Sequence, residues 1–244
     1  MAPTSRASIT AVAAALVAGS GYLGARYLAL AILAMAVAMG IGWSSLVHVG
    51  HRWTTAGIVG GGGVVALVAV AVGRSEPYLR YIAIALAAVT VAALVAQVFF
   101  PSPRGHVLSS VSGTAAGGAI ATSGAAWVAA VRTPGAEDLV VAGAITLAMA
   151  AVFSAATRNP GVNAMLTFTL GAGAGAAMGL LFPSLSWYGG ILTGLLTGAA
   201  VVLMAEMNRR EPRPRSRWAG ISSAIAPVLI AGTLVYLAGR LLIG

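Results

Sequence analysis

Groups that could carry acid–base chemistry are few in this 244-residue chain, and they lie at the ends of apolar segments. The carboxylates number five: Glu76, Glu137, Asp138, Glu206 and Glu211. An ionisable group deep inside an apolar segment would indicate a proton or ion path, and none of these occupies such a position. Glu137 and Asp138 begin a predicted helix, where negative charge is favourable. Glu206 lies one turn before Arg209 and Arg210, which favours a local ion pair over a gating or coupling role.

Two histidines have a spacing that metal ligands use. His48 and His51 are three residues apart and would share one face of a helix. No carboxylate stands near them in the sequence, and His106 is a further ligand that could come from the same side. A location at the membrane interface explains these histidines better than metal binding does. The chain has no cysteine that could serve as a metal ligand. The sequence therefore predicts no catalytic residue, no metal site and no cofactor.

Four polar side chains could line a pathway through the apolar segments: Thr90, Gln97, Asn163 and Glu206. Thr90 and Gln97 are seven residues apart and fall on the same helical face. A hydrogen bond between two helices is the alternative interpretation of Gln97. Asn163 could contact the headgroup of a substrate, whereas its neighbour Asn159 is explained by capping of a helix that begins at Pro160.

Motifs of nucleotide chemistry and of nucleophilic catalysis are missing. The run Gly60–Gly63 lacks the lysine and the preceding strand of a phosphate-binding loop. No serine has the strand–turn–helix context of an activated nucleophile. The chain is therefore not expected to hydrolyse ATP or to act as an enzyme.

Composition places the chain in lipid. Hydrophobic residues make up 59% of it and charged residues only 8%, whereas a soluble domain carries about 25% charged residues. The apolar runs are continuous, unlike the alternating segments of a membrane β-barrel. The sequence thus predicts an all-α, polytopic transmembrane helix bundle that forms a single integral membrane domain over residues 1–244.

Apolar runs long enough to span a bilayer, which takes about 20 helical residues, occur nine times in the sequence. They cover residues 7–25, 27–47, 55–73, 78–100, 107–131, 139–157, 164–182, 188–205 and 218–242. A short polar stretch, residues 1–6, precedes the first run, which we interpret as an uncleaved helix. The first two runs are joined so tightly that the bundle has either eight or nine helices. A local break or close helix contact is expected at Gly60–Gly63, and a kink at Pro227.

The seventh and eighth runs carry glycine at every fourth position. The two series are Gly171, Gly175 and Gly179, followed by Gly190, Gly194 and Gly198. In a helix this spacing places the glycines on one face, where a neighbouring backbone can approach closely. The sequence therefore predicts a tightly packed hairpin with glycine-rich helix interfaces.

Arginine supplies all of the basic charge, and one cluster of it predicts the orientation. This topology signal lies in the loop over residues 206–218 and comprises Arg209, Arg210, Arg213, Arg215 and Arg217. Basic loops remain on the cytoplasmic side and contact anionic lipid headgroups. We therefore expect this loop and the N-terminus in the cytoplasm, the C-terminus outside, and the lipid bilayer rather than nucleic acid as the partner. Frequent alanine, glycine and arginine point to the plasma membrane of a high-GC bacterium.

Three segments resemble parts of multi-pass membrane proteins of high-GC Gram-positive bacteria that are labelled permeases. They are Glu76-Pro-Tyr-Leu-Arg80-Tyr, the segment from Ser112-Gly-Thr-Ala-Ala-Gly-Gly to Trp127, and Trp187-Tyr-Gly-Gly. The resemblance extends over most of residues 27–243. It implies a transport function and carries no catalytic residues over to this chain.

Two classes of function remain open from the sequence. The first is a permease-like protein that moves a small or lipid-linked molecule without ATP hydrolysis. The second is a non-transporting subunit or scaffold, a homo-oligomer or a partner of another membrane protein, that binds helices through its glycine faces. A polar cavity enclosed by the bundle would favour the first class, and a glycine strip exposed to lipid would favour the second.

Overall fold

The computed structural model describes residues 2–47, 51–73, 75–101, 106–210 and 216–242, and within these ranges it is an all-α bundle without strands. The segments are α1 (Pro3–Leu23), α2 (Ala25–Leu46), α3 (Arg52–Val72), α4 (Ile82–Phe99), α5 (Val107–Ser123), α6 (Ala125–Arg132), α7 (Glu137–Phe153), α8 (Pro160–Leu181), α9 (Trp187–Arg210) and α10 (Arg217–Leu242). The predicted fold class is confirmed.

Eight of the described spans are long and apolar enough to cross a membrane, and α5 with α6 counts as one of them, Val107–Arg132. Gly124 joins these two segments with helical dihedrals, φ −59° and ψ −31°. The remaining long helix, α7, has 17 residues and begins with Glu137 and Asp138. The chain is a multi-pass membrane protein whose outer side chains contact lipid, most of all on α4, where only 17% of the span is buried.

The first two helices are separate. Gly24 divides α1 from α2 with φ 112°, a conformation that a side chain would disfavour. The sequence placed the connector at Arg26, which instead lies in the first turn of α2. The first helix also begins at Pro3, so that Arg6 belongs to α1 rather than to a polar extension.

The six glycines of the predicted hairpin face each other across the α8–α9 contact, the most extensive contact between helices. A methyl group added at Gly175 would lie 2.1 Å from the carbonyl oxygen of Gly190, and one added at Gly190 would lie 2.0 Å from that of Gly175. Side chains cannot occupy such a contact, so the two backbones touch directly. The contact loosens along α9, since a methyl group at Gly198 would lie 3.5 Å from the carbonyl oxygen of Thr167.

The expected break at Gly60–Gly63 is wrong, because α3 is continuous from Arg52 to Val72. Close contact, the alternative, accounts for these glycines. Methyl groups on Gly62 and Gly63 would lie 2.5 Å and 2.6 Å from the side chains of Val89 and Ala36. A break at this depth would leave backbone groups without hydrogen bonds in lipid, which is more costly than the low helix propensity of glycine.

Helix α10 lies at the centre of the bundle and packs against α1, α2, α5, α6, α7 and α9. It continues through Pro227, which cannot donate a hydrogen bond to the carbonyl of Ser223 one turn earlier. On α1, Thr10 Oγ1 donates to the neighbouring carbonyl of Ala224 at 2.7 Å. The side chain of Thr10 thus adds a hydrogen bond to the part of α10 where Pro227 removes a backbone hydrogen bond.

The glycine contact between α8 and α9 predicts a large difference between two positions on α8. Gly175→Ala should lower the free energy of unfolding by about 1–3 kcal/mol, because the new methyl group meets backbone that cannot give way. Gly173→Ala, whose methyl group would have no atom within 4 Å, should be neutral or stabilising by up to about 1 kcal/mol. Denaturation in detergent, followed by circular dichroism, measures both. Equal stability of the two variants would contradict direct backbone contact between α8 and α9 at Gly175.

Candidate functional site

A cavity of about 680 Å³ opens at one end of the bundle. Its walls are the first turns of α1 and α8, residues 223–227 of α10, the last turns of α9, and the segment 154–158 that follows α7. These four helices and α7 form a closed ring, since α1 packs on α7, α7 on α8, α8 on α9, α9 on α10, and α10 on α1. We call this the open end and the opposite end of the bundle the closed end.

The cavity reaches well into the span. Its lining extends from Pro3 to Thr10 on α1 and from Pro160 to Thr167 on α8. At 1.5 Å per residue these stretches give a depth of about 10 Å, roughly a third of the hydrocarbon thickness. The deeper walls carry Thr10, Thr167 and Val201. The cavity is therefore polar at its mouth and mixed, with hydroxyl groups and apolar side chains, at its base.

Basic charge dominates the mouth of the cavity. Among the described residues, three arginines and one glutamate line it: Arg6, Arg158, Arg209 and Glu206. Glu206 accepts from Arg209 Nε at 2.7 Å and Nη2 at 2.8 Å, and from Arg210 Nε at 2.8 Å. These groups are partly exposed, so the ion pairs add little stability. They do, however, occupy the carboxylate of Glu206, which leaves a net positive site.

Two buried polar atoms at the cavity have no hydrogen-bonding partner among the described residues. They are Arg6 Nη1 and Thr167 Oγ1. Thr167 is completely buried, and its hydroxyl does not bond back to the carbonyl of its own helix, as Thr169 does at 2.8 Å. Unpaired buried donors are costly. Both residues line the cavity, where a bound molecule could supply acceptors.

Below the cavity the same helices close together. Thr146 on α7 and Thr197 on α9 share a buried hydrogen bond of 3.2 Å between their hydroxyls. Further along, a methyl group on Gly143 would lie 2.9 Å from Val235 Cγ2, and one on Gly239 would lie 2.9 Å from Leu139 Cδ2. Contact between α7 and α10 thus seals the closed end.

The structure brings some of the predicted pathway residues to this cavity and leaves others elsewhere. Glu206 and Asn163 line it. Asn163 is engaged in local contacts, accepting from Thr157 N at 2.8 Å and donating to Thr157 O at 2.9 Å. Gln97 donates to Ser110 Oγ at 2.7 Å, between α4 and α5, and Thr90 is exposed and bonds to the carbonyl of Leu86 in its own helix. The predicted pathway is therefore not one continuous line.

The remaining predicted residues are placed as follows. Arg209 lines the cavity, Arg210 pairs with Glu206, and Arg217 begins α10. Arg213, Arg215 and His48 lie outside the described residues. His51 stacks on Phe100 with ring centroids 5.6 Å apart. Within the described ranges, no group of three or more histidine or acidic side chains could hold a metal ion.

Sequence reasoning missed Arg6, Thr167 and the segment 154–158. The signal for the first was present, because Arg6 and Thr10 are one turn apart at the start of a mainly apolar helix. The segment could not be found, because its alanines continue the apolar run that was expected to reach Thr157. In the structure α7 ends at Phe153 and Asn159 caps α8, accepting from Gly161 N at 3.0 Å.

The fold and the cavity define a class of protein: a multi-pass α-helical membrane protein with a basic cavity open at one end. Comparison with protein-family models, curated proteins and solved structures returns no match. The function therefore has to be argued from the site itself.

The hydrogen bond from Thr10 to α10 predicts a further difference in stability. Thr10→Val keeps the shape of the side chain and leaves the Ala224 carbonyl without this donor, so unfolding should become easier by about 0.5–1.5 kcal/mol. Ser8→Ala is the matched control, because Ser8 is exposed and bonds only to Thr4 O in its own helix. Thermal denaturation in detergent compares the two, and an unchanged midpoint for Thr10→Val would rule out this contribution.

Proposed function

We propose that the protein is a permease-like carrier that binds a small or lipid-linked molecule in this cavity and moves it without ATP hydrolysis. The observation that supports this proposal is the cavity, which is about 680 Å³ in volume and lined by four helices and the segment 154–158. A carrier needs a binding site that is accessible from one side and closed to the other. The cavity has that form, because its mouth is open while Gly143 meets Val235 at the opposite end.

The distribution of arginine supports a cytoplasmic position for the open end. Among the described residues, six arginines lie at this end and four at the other. The first group is Arg6, Arg52, Arg158, Arg209, Arg210 and Arg217, and the second is Arg26, Arg80, Arg132 and Arg240. Cytoplasmic loops carry the excess of basic residues. In a bacterial plasma membrane the cavity would therefore face the cytoplasm.

The second candidate function, a scaffold for partner helices, has weaker support. The six glycines of α8 and α9 are buried against each other, so they are not available to a partner. Gly57 and Gly61 on α3 are the observation in its favour, because a methyl group on either would meet no atom within 4 Å. A short strip of this kind suits contact with one further helix.

Cysteine accessibility distinguishes the two functions, since the native chain contains no cysteine. Ala164→Cys places a thiol in the cavity, Val235→Cys places one in the closed contact, and Ser184→Cys places one in the exposed α8–α9 turn. Membrane-impermeant maleimide is added to one side of oriented proteoliposomes at a time. A carrier should show slow labelling of Val235→Cys from the closed end, because that end opens transiently.

The control positions fix the two limits of this experiment. Ser184→Cys should react at once from the closed end, and Ala164→Cys should react from the open end. If Val235→Cys remained unlabelled while Ser184→Cys reacted fully, the protein would not alternate, and the scaffold function would be preferred.

A further inference from the structure

The cavity carries more positive charge than its own acidic groups can balance, and this points to its ligand. We propose that the cavity binds a phosphate ester, with its phosphate group held between Arg6 and Arg158. This inference rests on the proposed function and deepens it by naming the chemical class of the substrate. Two sources share this chemistry: a phospholipid headgroup that enters from the membrane and a soluble phosphate ester that enters from water.

Two arginines that line the cavity have no carboxylate partner among the described residues. Glu206 is bonded to both Arg209 and Arg210. Arg6 and Arg158 make no ion pair with any described residue, although both line the cavity. Arg6 belongs to α1 and Arg158 to the segment between α7 and α8, so the two cations lie on different walls. An anion bound between these walls would meet both cations.

The burial of the Arg6 side chain favours an anionic ligand. Arg6 Nη1 is enclosed by protein and lacks an acceptor among the described residues. A guanidinium group withdrawn from water toward apolar walls is costly unless an anion accepts its hydrogen bonds. Charge-assisted bonds from arginine to phosphate are among the stronger hydrogen bonds, and they are directional. A ligand with an anionic group at this depth would therefore remove an existing cost as well as add new bonds.

The placement of the donors on separate walls favours a phosphate ester over a carboxylate. A carboxylate presents its two oxygens in one plane, whereas a phosphate ester presents several oxygens in different directions, which suits donors on separate walls. Below the arginines the cavity is lined by Thr167, whose buried hydroxyl has no partner among the described residues, and by the apolar side chains of Ala164, Val201 and Met204. Hydroxyl and hydrocarbon together match the ester portion of such a molecule, whether glycerol or an acyl chain.

The test measures protection of a thiol in the cavity. Ala164→Cys is purified in a neutral detergent, and the rate of maleimide labelling is recorded against increasing inorganic phosphate and against glycerol 3-phosphate. Sodium chloride at equal ionic strength controls for general screening. Phosphate or its ester should slow labelling in a saturable manner, and chloride should not.

Substitutions assign the protection to particular arginines. Arg6→Gln or Arg158→Gln in the Ala164→Cys background should weaken half-maximal protection about tenfold or more, since each removes a charge-assisted bond. Arg52→Gln removes the same charge from an exposed position at the open end outside the cavity, and it should change nothing. Arg6→Lys, which keeps the charge, should retain part of the protection even if Arg6→Gln destabilises the fold.

Glu206→Gln should raise the affinity for phosphate, whereas the arginine substitutions should lower it. Among the described residues, Glu206 is the one carboxylate that lines the cavity, so its loss removes that negative charge and releases Arg209 from its ion pair. Half-maximal protection should then occur at a lower phosphate concentration. A purely structural role of the arginines would not produce tighter binding in this variant.

Labelling rates in nanodiscs distinguish a lipid headgroup from a soluble phosphate ester as the ligand. Ala164→Cys is reconstituted in phosphatidylcholine alone and in phosphatidylcholine with phosphatidic acid. Slower labelling with phosphatidic acid that depends on Arg6 assigns a lipid headgroup, while protection by glycerol 3-phosphate in both bilayers assigns a soluble ester.

The outcomes for this inference and for the proposed function are separable. Absence of saturable protection by every phosphate compound, or equal protection in Arg6→Gln, Arg158→Gln and the parent, would overturn phosphate binding while leaving alternation of Val235→Cys intact. Protection without alternation would instead support a static phosphate-binding protein and remove the carrier function.

Discussion

Direct contact between helix backbones at glycine is the interaction on which the bundle depends. Lipid tails are as apolar as the side chains they surround, so helices gain little from hiding apolar surface and must gain from packing. On α9 a methyl group would lie 2.0 Å from α8 at Gly190, 2.1 Å at Gly194 and 3.5 Å at Gly198. The two helices are therefore closest at the closed end and separate toward the open end. The cavity begins where this contact loosens.

A second constraint follows from the absence of water inside a membrane. Each backbone carbonyl that a helix leaves without a partner needs a donor from elsewhere. Pro227 leaves the carbonyl of Ser223 without its backbone donor, and side chains of two other helices add hydrogen bonds to carbonyls beside it. Thr10 donates to Ala224, and Trp127 Nε1 donates to Val228 at 2.8 Å. At the end of α3, Arg132 Nη2 donates to the carbonyl of Gly73 at 2.9 Å. Irregular backbone in this bundle is thus supported by side chains from neighbouring helices.

The sequence predicted what local pattern determines. Long apolar runs identified the spans, the four-residue glycine spacing identified the α8–α9 hairpin, and Asn159-Pro160 identified the start of α8. The cavity could not be predicted, because its walls combine α1 with α8, α9, α10 and the segment 154–158, which lie more than 130 residues further along the chain. Alanine explains the error at the end of α7, since Ala155 and Ala156 favour a helix by propensity, whereas in the structure they follow the end of α7 and line the cavity. Predicted roles at Thr90 and Gln97 stay untested as functions, although their contacts are now described.

The contacts also differ in how easily they can change, and this bears on how a carrier of this shape would move. Between α8 and α9 backbone meets backbone, so no side-chain rotation can relieve a displacement. At the closed end the atoms near Gly143 and Gly239 are methyl groups of Val235 and Leu139, which have alternative rotamers. Opening at α7 and α10 therefore costs less than separation of the hairpin. An alternating cavity in this bundle would keep α8 and α9 together as one rigid pair while α7 separates from α10 at the closed end.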